Sequence, residues 1–253
     1  MKSITTYITE KLKIRKSNKT SYKYFPKSKE ELKDLLKRLI DERGDDGDFN
    51  DIDTSEITDM SGLFYNMKNF NGNISKWDVS NVENMGQMFE GCQSFNQPLN
   101  DWDVSNVKYM QQMFNWCKKF NQPLNDWDVS KVTRIWCMFK NCKSFNQPLN
   151  DWNVSNITDM DHMFDFCELF NQSLNNWDVS NVKNMKGMFY ACYEFDQPLN
   201  KWDVSNVDNM EEMFYGCLSF NKDISNWNIS KVTCNNRIFN ECPIEEKYKP
   251  KFK

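Results

Sequence analysis

Seven tryptophans stand 25 residues apart along the chain, and this period limits the possible folds more than any other feature of the sequence. They are Trp77, Trp102, Trp127, Trp152, Trp177, Trp202 and Trp227, with no insertion or deletion between them. An earlier, degenerate unit has Ile52 where the tryptophan would stand. A fixed period of this length is typical of repeat proteins, whose units stack on their neighbours. The sequence therefore predicts a stack of eight units over residues 51–242.

The spacing of the apolar residues changes partway through each unit. Trp102 and Val104 alternate with polar residues, as in a short strand with one face inward. From Val107 to Phe120 the apolar positions are spaced 3, 3, 1, 3 and 3, which predicts one face of a helix that Ser105 would cap. We therefore predict an α/β solenoid, leucine-rich-repeat-like, with about eight 25-residue strand-helix repeats, a parallel β-sheet on the inner face and an N-terminal helical cap.

A recurring motif carries a family resemblance. The chain reads WDVSNVENMGQMF from Trp77 and WDVSNVKNMKGMF from Trp177, and the leader PKSKEELKDLLKRLIDE precedes the repeats. These stretches resemble the BspA-type leucine-rich-repeat family, also catalogued as a domain of unknown function with 25-residue repeats and found in mycoplasmas and viruses. The resemblance covers about residues 26–242. It implies a binding scaffold without catalysis, often on bacterial surfaces.

The segment before the repeats has the sequence of a capping helix. Ser28 and Glu31 have the spacing of a capping box, and an apolar stripe of leucines follows them. We predict a helix ending near Gly44, within a capping region 26–50 that covers the first unit; a basic helix that binds nucleic acid or a membrane is the alternative. Residues 1–25 are interpreted as a basic, flexible segment, and residues 243–253 as a basic tail.

Charge is distributed unevenly along the chain. Residues 1–43 carry 13 Lys/Arg against 6 Asp/Glu, whereas the remainder carries 19 against 30. Because an acidic repeat body repels phosphate, we expect a protein partner with a basic surface rather than a nucleic acid. We find neither a signal-peptide core nor an apolar run long enough to span a membrane. With nine cysteines in no paired pattern, a reducing, cytoplasmic location is expected.

Seven cysteines keep step with the repeat, from Cys92 to Cys242, and the first unit has Met67 at the same position. This exchange with Met favours buried free thiols that pack as small apolar groups, with metal or redox roles as the alternative. Cys137 and Cys234 lie outside this series, so we expect them to be exposed and to be the thiols to test for reactivity.

Acidic residues recur beside the predicted inner strands, and we name this set the acidic face. Its members are Asp78, Asp101, Asp103, Asp126, Asp128, Asp151, Asp178 and Asp203. Stacked carboxylates repel one another, which a basic partner or a cation would offset. Because Asn153 and Asn228 replace Asp in two units, the favoured interpretation is an acceptor for backbone amides at a turn. A calcium ladder is a weaker alternative.

The positions that the period leaves variable carry aromatic residues, which we name the aromatic flank. They are Tyr109, Trp116, Trp136, Phe166, Tyr190, Tyr193 and Tyr215. Trp and Tyr on a rigid surface are typical of protein interfaces, so this flank is the second candidate for partner binding. The alternative is packing between neighbouring helices.

Residue types that support catalysis are scarce. His162 is the only histidine, and the repeat fixes no partner for it. No glycine-rich phosphate loop, no Cys/His cluster at metal spacing and no cofactor site is found. We therefore predict a non-enzymatic scaffold for protein–protein interaction. Residues 4–14 look like the start of many phage-encoded proteins, so the partner could be a host defence protein; an adhesin and an oligomerising repeat protein are the alternatives.

Overall fold

The structure is a computed structural model that describes residues 22–252. The predictions made for residues 1–21 lie outside this range. We call each unit a rung and number its positions from 1, at the tryptophan, to 25. Rung 1 begins at Ile52, rung 2 at Trp77 and rung 8 at Trp227.

Helix α1 spans Lys29–Arg43 and begins and ends as its sequence predicts. The Ser28 hydroxyl accepts from the Glu31 N–H at 3.2 Å, and the Glu31 carboxylate accepts from the Lys27 N–H at 2.8 Å. Gly44 ends the helix with a positive φ of 80°. Leu32, Leu36 and Leu39 are buried against the first rung, so α1 covers one end of the stack.

The rungs contain neither the helices nor the strands that their spacing predicts. From residue 44 to residue 245 the chain forms turns and isolated parallel pairings only, and a short 3-10 turn follows at Glu246–Tyr248. The predicted α/β solenoid with a parallel β-sheet is therefore wrong for the part of the chain that the structure describes. The molecule is instead a stack of turn-built rungs behind one helix.

Two positions in every rung explain why no helix forms. Positions 11 and 15 have a positive φ in all eight rungs, for example 56° at Gln112 and 64° at Trp116. A right-handed helix cannot continue through such residues. The spacing of three comes instead from successive tight turns, in which the Met113 N–H donates to the Met110 carbonyl at 3.2 Å and the Cys117 N–H to the Phe114 carbonyl at 2.9 Å.

Backbone amides join each rung to the next. In rungs 1 to 7 the N–H groups at positions 9, 11, 13 and 15 donate to carbonyls at positions 8, 10, 12 and 14 of the following rung, except that of Ile135. Examples are Gln112 to Trp136 at 3.0 Å and Trp116 to Lys140 at 2.8 Å. The positive φ at positions 11 and 15 directs these N–H groups along the axis of the stack. They therefore form hydrogen bonds with the next rung, whereas in a helix they would bond within the same segment.

The core consists of columns of identical side chains. Phenylalanines at positions 13 and 19 stack within a rung, with centroids 4.2 Å apart for Phe114 and Phe120, and between rungs, with Phe114 5.7 Å from Phe139. The Trp127 indole N–H, at position 1 of rung 4, donates to the carbonyl of Leu99, at position 23 of rung 2, at 3.0 Å. The predicted burial of the repeated Phe, Leu, Trp and Val residues is confirmed.

The last residues described fold back over rung 8. The Tyr248 carbonyl accepts from the Ile224 N–H at 3.0 Å, and the ring of Phe252 lies 6.5 Å from that of Phe239. Within residues 22–252, no helix has both the length and the apolar composition needed to cross a membrane.

Candidate functional site

The acidic face lies on the outside of the stack, and all eight of its carboxylates are exposed. Five of them stand at position 2, where the Asp accepts hydrogen bonds from the serine two residues later. In rung 2, Asp78 Oδ1 accepts from the Ser80 N–H at 3.0 Å and from its hydroxyl at 2.6 Å. The interpretation as turn acceptors is confirmed for this position. The predicted helix cap at Ser105 is wrong, because its hydroxyl donates to Asp103 at 2.7 Å.

This turn requires an acceptor but not a charge. Asn153 accepts the same two bonds from Ser155, at 3.2 and 2.7 Å. Where Asp is present, the bonds favour its ionised form: hydrogen bonds from Ser205 lower the pKa of Asp203. The negative charge is therefore additional to what the fold needs.

The other three acidic residues stand at position 25, just before the tryptophan. Asp126 accepts from the Asn100 side chain and Asp151 from the Asn125 side chain, both at 2.7 Å. Together with Asp101 they place a second exposed carboxylate, at position 25, on rungs 2 to 4. Within residues 22–252 no group of three or more His, Cys, Asp or Glu has an arrangement that could hold a metal ion.

The aromatic flank lies on a different side of the rung, at positions 8, 10, 14, 15 and 17, and it is not helical. The structure brings Phe166, Tyr190 and Tyr215 together in a column, with centroid separations of 5.5 and 4.7 Å. Arg237 lies over the Tyr215 ring at 4.6 Å. Tyr109 instead pairs with Arg134, and Trp136 and Tyr193 are half-buried elsewhere.

Trp116 is the most exposed member of the aromatic flank, with 43% of its surface accessible. It also has a positive φ, which is an unusual conformation for a bulky residue. Gly91 and Gly216 occupy the same rung position, where glycine adopts this conformation without strain. The Trp116 side chain is thus displayed at a cost to local stability.

A charged cluster around His162 was missed by sequence reasoning. His162 Nδ1 lies 2.8 Å from Asp165 Oδ2, and the Lys140 ammonium lies 2.6 Å from the same oxygen. Asp165 is only 3% exposed, and its Oδ1 has no hydrogen-bond partner among the described residues. The only sequence signal for this cluster was that Asp165 follows His162 by three residues. That spacing does not place the two side chains together unless the conformation of the intervening turn is known.

Cys137 lies in the rung before His162 and at the same position, but it is buried, so the expectation that it is exposed is wrong. Burial raises the pKa of Cys137 to about 12, which keeps its thiol protonated near neutral pH. This environment does not favour a thiolate nucleophile beside the histidine. Cys234 is exposed, as predicted.

The cysteines that follow the repeat are free and, apart from the half-buried Cys242, fully buried, which confirms their predicted packing role. Each thiol donates to a carbonyl of the preceding rung, as Cys117 does to Phe89 at 3.0 Å. Burial raises the pKa of Cys92 to about 12, so the thiol keeps the proton that it donates.

These contacts define a repeat protein built from stacked 25-residue rungs, with an exposed acidic side and a variable aromatic side. The family model described as "Mycoplasma protein of unknown function, DUF285" matches residues 34–152 and 133–249. The chain therefore belongs to the DUF285 family. No curated protein matches it.

Proposed function

We propose that this protein is a non-enzymatic scaffold that binds another protein with a basic surface through its acidic face. The observation that carries the proposal is the charge at position 2: Asn153 makes the turn as Asp78 does, yet six of the eight rungs, including rung 1 with Asp53, have a carboxylate there. Carboxylates fixed by serine hydrogen bonds on consecutive rungs lose little freedom when a partner binds. Lys131 lies on the same side, but its ammonium donates to Asn106 at 2.7 Å.

The test replaces Asp103, Asp128 and Asp178 together by Asn. Because Asn makes the same turn, the triple variant should unfold at the temperature of the wild type while losing three charges. The partner is captured on the immobilised chain from a lysate of the organism that carries the gene, and then purified. At about 0.5 kcal/mol for each ion pair, its Kd for the variant should rise roughly tenfold, with weaker binding at high salt. An unchanged Kd would sink the acidic-face proposal.

The aromatic flank is the second candidate, favoured by the strained and exposed Trp116. In the same assay, Trp116→Gly removes the ring and puts glycine at the positive φ, which glycine adopts without strain, so stability should hold or rise. Loss of the partner with this variant, together with retention by the Asp variants, would assign binding to the flank.

The proposal extends to the location and the origin of the protein. We propose a reducing, cytoplasmic location, supported by nine free cysteines. The BspA-type motif and the phage-like opening at residues 4–14 support a phage or viral protein that binds and inhibits a host defence protein. The genes that flank this one test the assignment, since bacterial housekeeping neighbours would argue against it.

A further inference from the structure

Rung 8 repeats the pattern of the other rungs, but among residues 22–252 no further rung pairs with its outer edge. In rung 7 the amides of Met210, Glu212, Phe214 and Gly216 donate to rung 8 at 2.7 to 3.0 Å. The equivalent amides of rung 8 find no acceptor among residues 22–252; they belong to Asn235, Arg237, Phe239 and Glu241. The Thr233 carbonyl likewise has no donor in that range, although its counterpart Asp208 accepts from the Thr233 N–H at 2.9 Å. A row of unpaired backbone groups at an edge is a template for another chain.

The side chains beside this row are also only partly covered. Phe239 and Val232 are half-buried, whereas their counterparts Phe214 and Val207 are fully buried. A cleft of about 410 Å³ lies here, with Trp227, Ile229, Val232 and Phe252 in its wall. Val204, the counterpart of Ile229 in rung 7, is buried beneath rung 8 as Val207 is. Asn235 stands where every earlier rung has Met or Ile, so polarity increases at this edge.

The opposite end of the stack is closed. Helix α1 lies over rung 1, with the Lys29 ammonium 2.6 Å from the Ser61 hydroxyl and Leu36 buried. A second copy of this chain therefore cannot offer its rung 1 carbonyls to rung 8 while α1 is docked. If two copies met at their rung 8 edges, the backbone N–H groups of one copy would face the N–H groups of the other, and no hydrogen bonds would form between them. The geometry thus favours a different polypeptide as the occupant.

We propose that the exposed edge of rung 8 binds an extended, acidic, repeat-like segment of another protein, which adds a ninth rung. Its carbonyls would accept from Asn235 and Arg237, and its apolar residues would fill the cleft. The edge has a small excess of positive charge, because residues 227–252 carry five Lys/Arg against three Glu. Arg237 and Lys247 already pair with Glu212 and Glu245, both at 2.8 Å, whereas Lys251 is exposed in the wall of the cleft. An acidic segment is therefore complementary to this edge. This mode of binding adds backbone hydrogen bonds to an existing edge and takes specificity from alternate side chains. It uses a surface separate from the acidic face, so either proposal can fail alone.

The probe for this proposal is a synthetic peptide with the sequence of residues 203–213, DVSNVDNMEEM. In the fold this stretch supplies the Asn209 and Glu211 carbonyls to the amides of Met185 and Gly187 of rung 6, at 2.9 and 2.8 Å. Amide exchange of the 253-residue chain is measured by NMR with and without the peptide. We expect saturable slowing of at least tenfold at Asn235 and Arg237 and little change at Ile238 and Asn240, which already donate within the rung.

Three controls make the result decisive. A scrambled peptide of the same composition should not slow exchange, and Arg237→Gln should weaken binding of the probe severalfold without unfolding the chain. Val232→Asp places a charge in the cleft and should abolish binding. Exchange that is unchanged at millimolar peptide, or slowed equally by the scrambled peptide, would overturn the proposal. Light scattering of the protein without peptide provides a further test. An apparent molecular mass that increases with protein concentration would also overturn the proposal, because a second copy of the chain would then bind the edge.

Discussion

His162 shows how the conformation of one residue depends on the residue 25 positions later. Gly187 occupies the same position in the next rung, and a Cβ added there would lie 2.4 Å from His162 Nδ1. The imidazole therefore fills the space that a side chain at residue 187 would take, and it is held there beside Asp165. Sequence reasoning could not find this cluster, because the repeat fixes neither the histidine nor its partners.

Gly187→Ala should lower the free energy of unfolding more than Gly216→Ala does. Both glycines have a positive φ, which costs alanine about 1 kcal/mol, but the Gly216 site has only ordinary contacts at 3.6 Å or more. The clash with His162 should add about 1–3 kcal/mol at residue 187.

Urea denaturation of the two alanine variants measures the difference, and His162→Ala provides the matched background. In that background the two glycine substitutions should cost nearly the same, since the clash is gone. A difference that persisted would show that the imidazole is not the obstacle.

At the scale of elements, α1 could be predicted from its caps, whereas the rungs could not. Apolar spacing of three and four is shared by helices and by successive tight turns, so the stripe from Val107 to Phe120 could not separate them. The distinguishing signal was the frequency of Gly and Asn at position 15, as in Asn66 and Gly91, where φ is positive. Trp116 and Phe166 at the same position obscured it.

The α1 cap should control the stability of the end that it covers. Leu36→Ala should lower the free energy of unfolding by about 2–4 kcal/mol, because Leu36 is only 1% exposed. Since a repeat stack frays from its ends, amide exchange should accelerate first at Met60 and Phe64 of rung 1. Exchange measured by mass spectrometry tests both effects, with the exposed Lys37→Ala as control. Equal acceleration in rung 5 would contradict the order of fraying.

At the scale of the whole molecule, the period and the number of rungs follow from the sequence. So does the accessibility of the acidic face, because each of its residues lies one position from a buried tryptophan. The shape of the stack does not follow, since it depends on the sign of φ at two positions per rung. Each interface between rungs uses the same amide pattern, with few exceptions, so the rungs are nearly interchangeable.

Deletion of residues 127–151 should therefore leave a folded, shorter protein. The cut removes one complete rung and joins positions 25 and 1 as in every other junction. Deletion of residues 127–150 removes one residue fewer and shifts all later side chains by one position, which should prevent folding. Circular dichroism and size-exclusion chromatography compare the two. Similar behaviour of both deletions would show that the register does not matter.

The uniform separation of the stabilising contacts also has a kinetic consequence. The side-chain bonds that cross between rungs join residues 22 to 28 apart, such as Trp127 with Leu99 and Asn121 with Asn96. The entropy lost on closing a chain loop depends on its length, so every rung docks with about the same loss, wherever it lies. Folding is then expected to begin at any pair of adjacent rungs and to spread in both directions, with an initiation barrier that does not grow with the number of rungs.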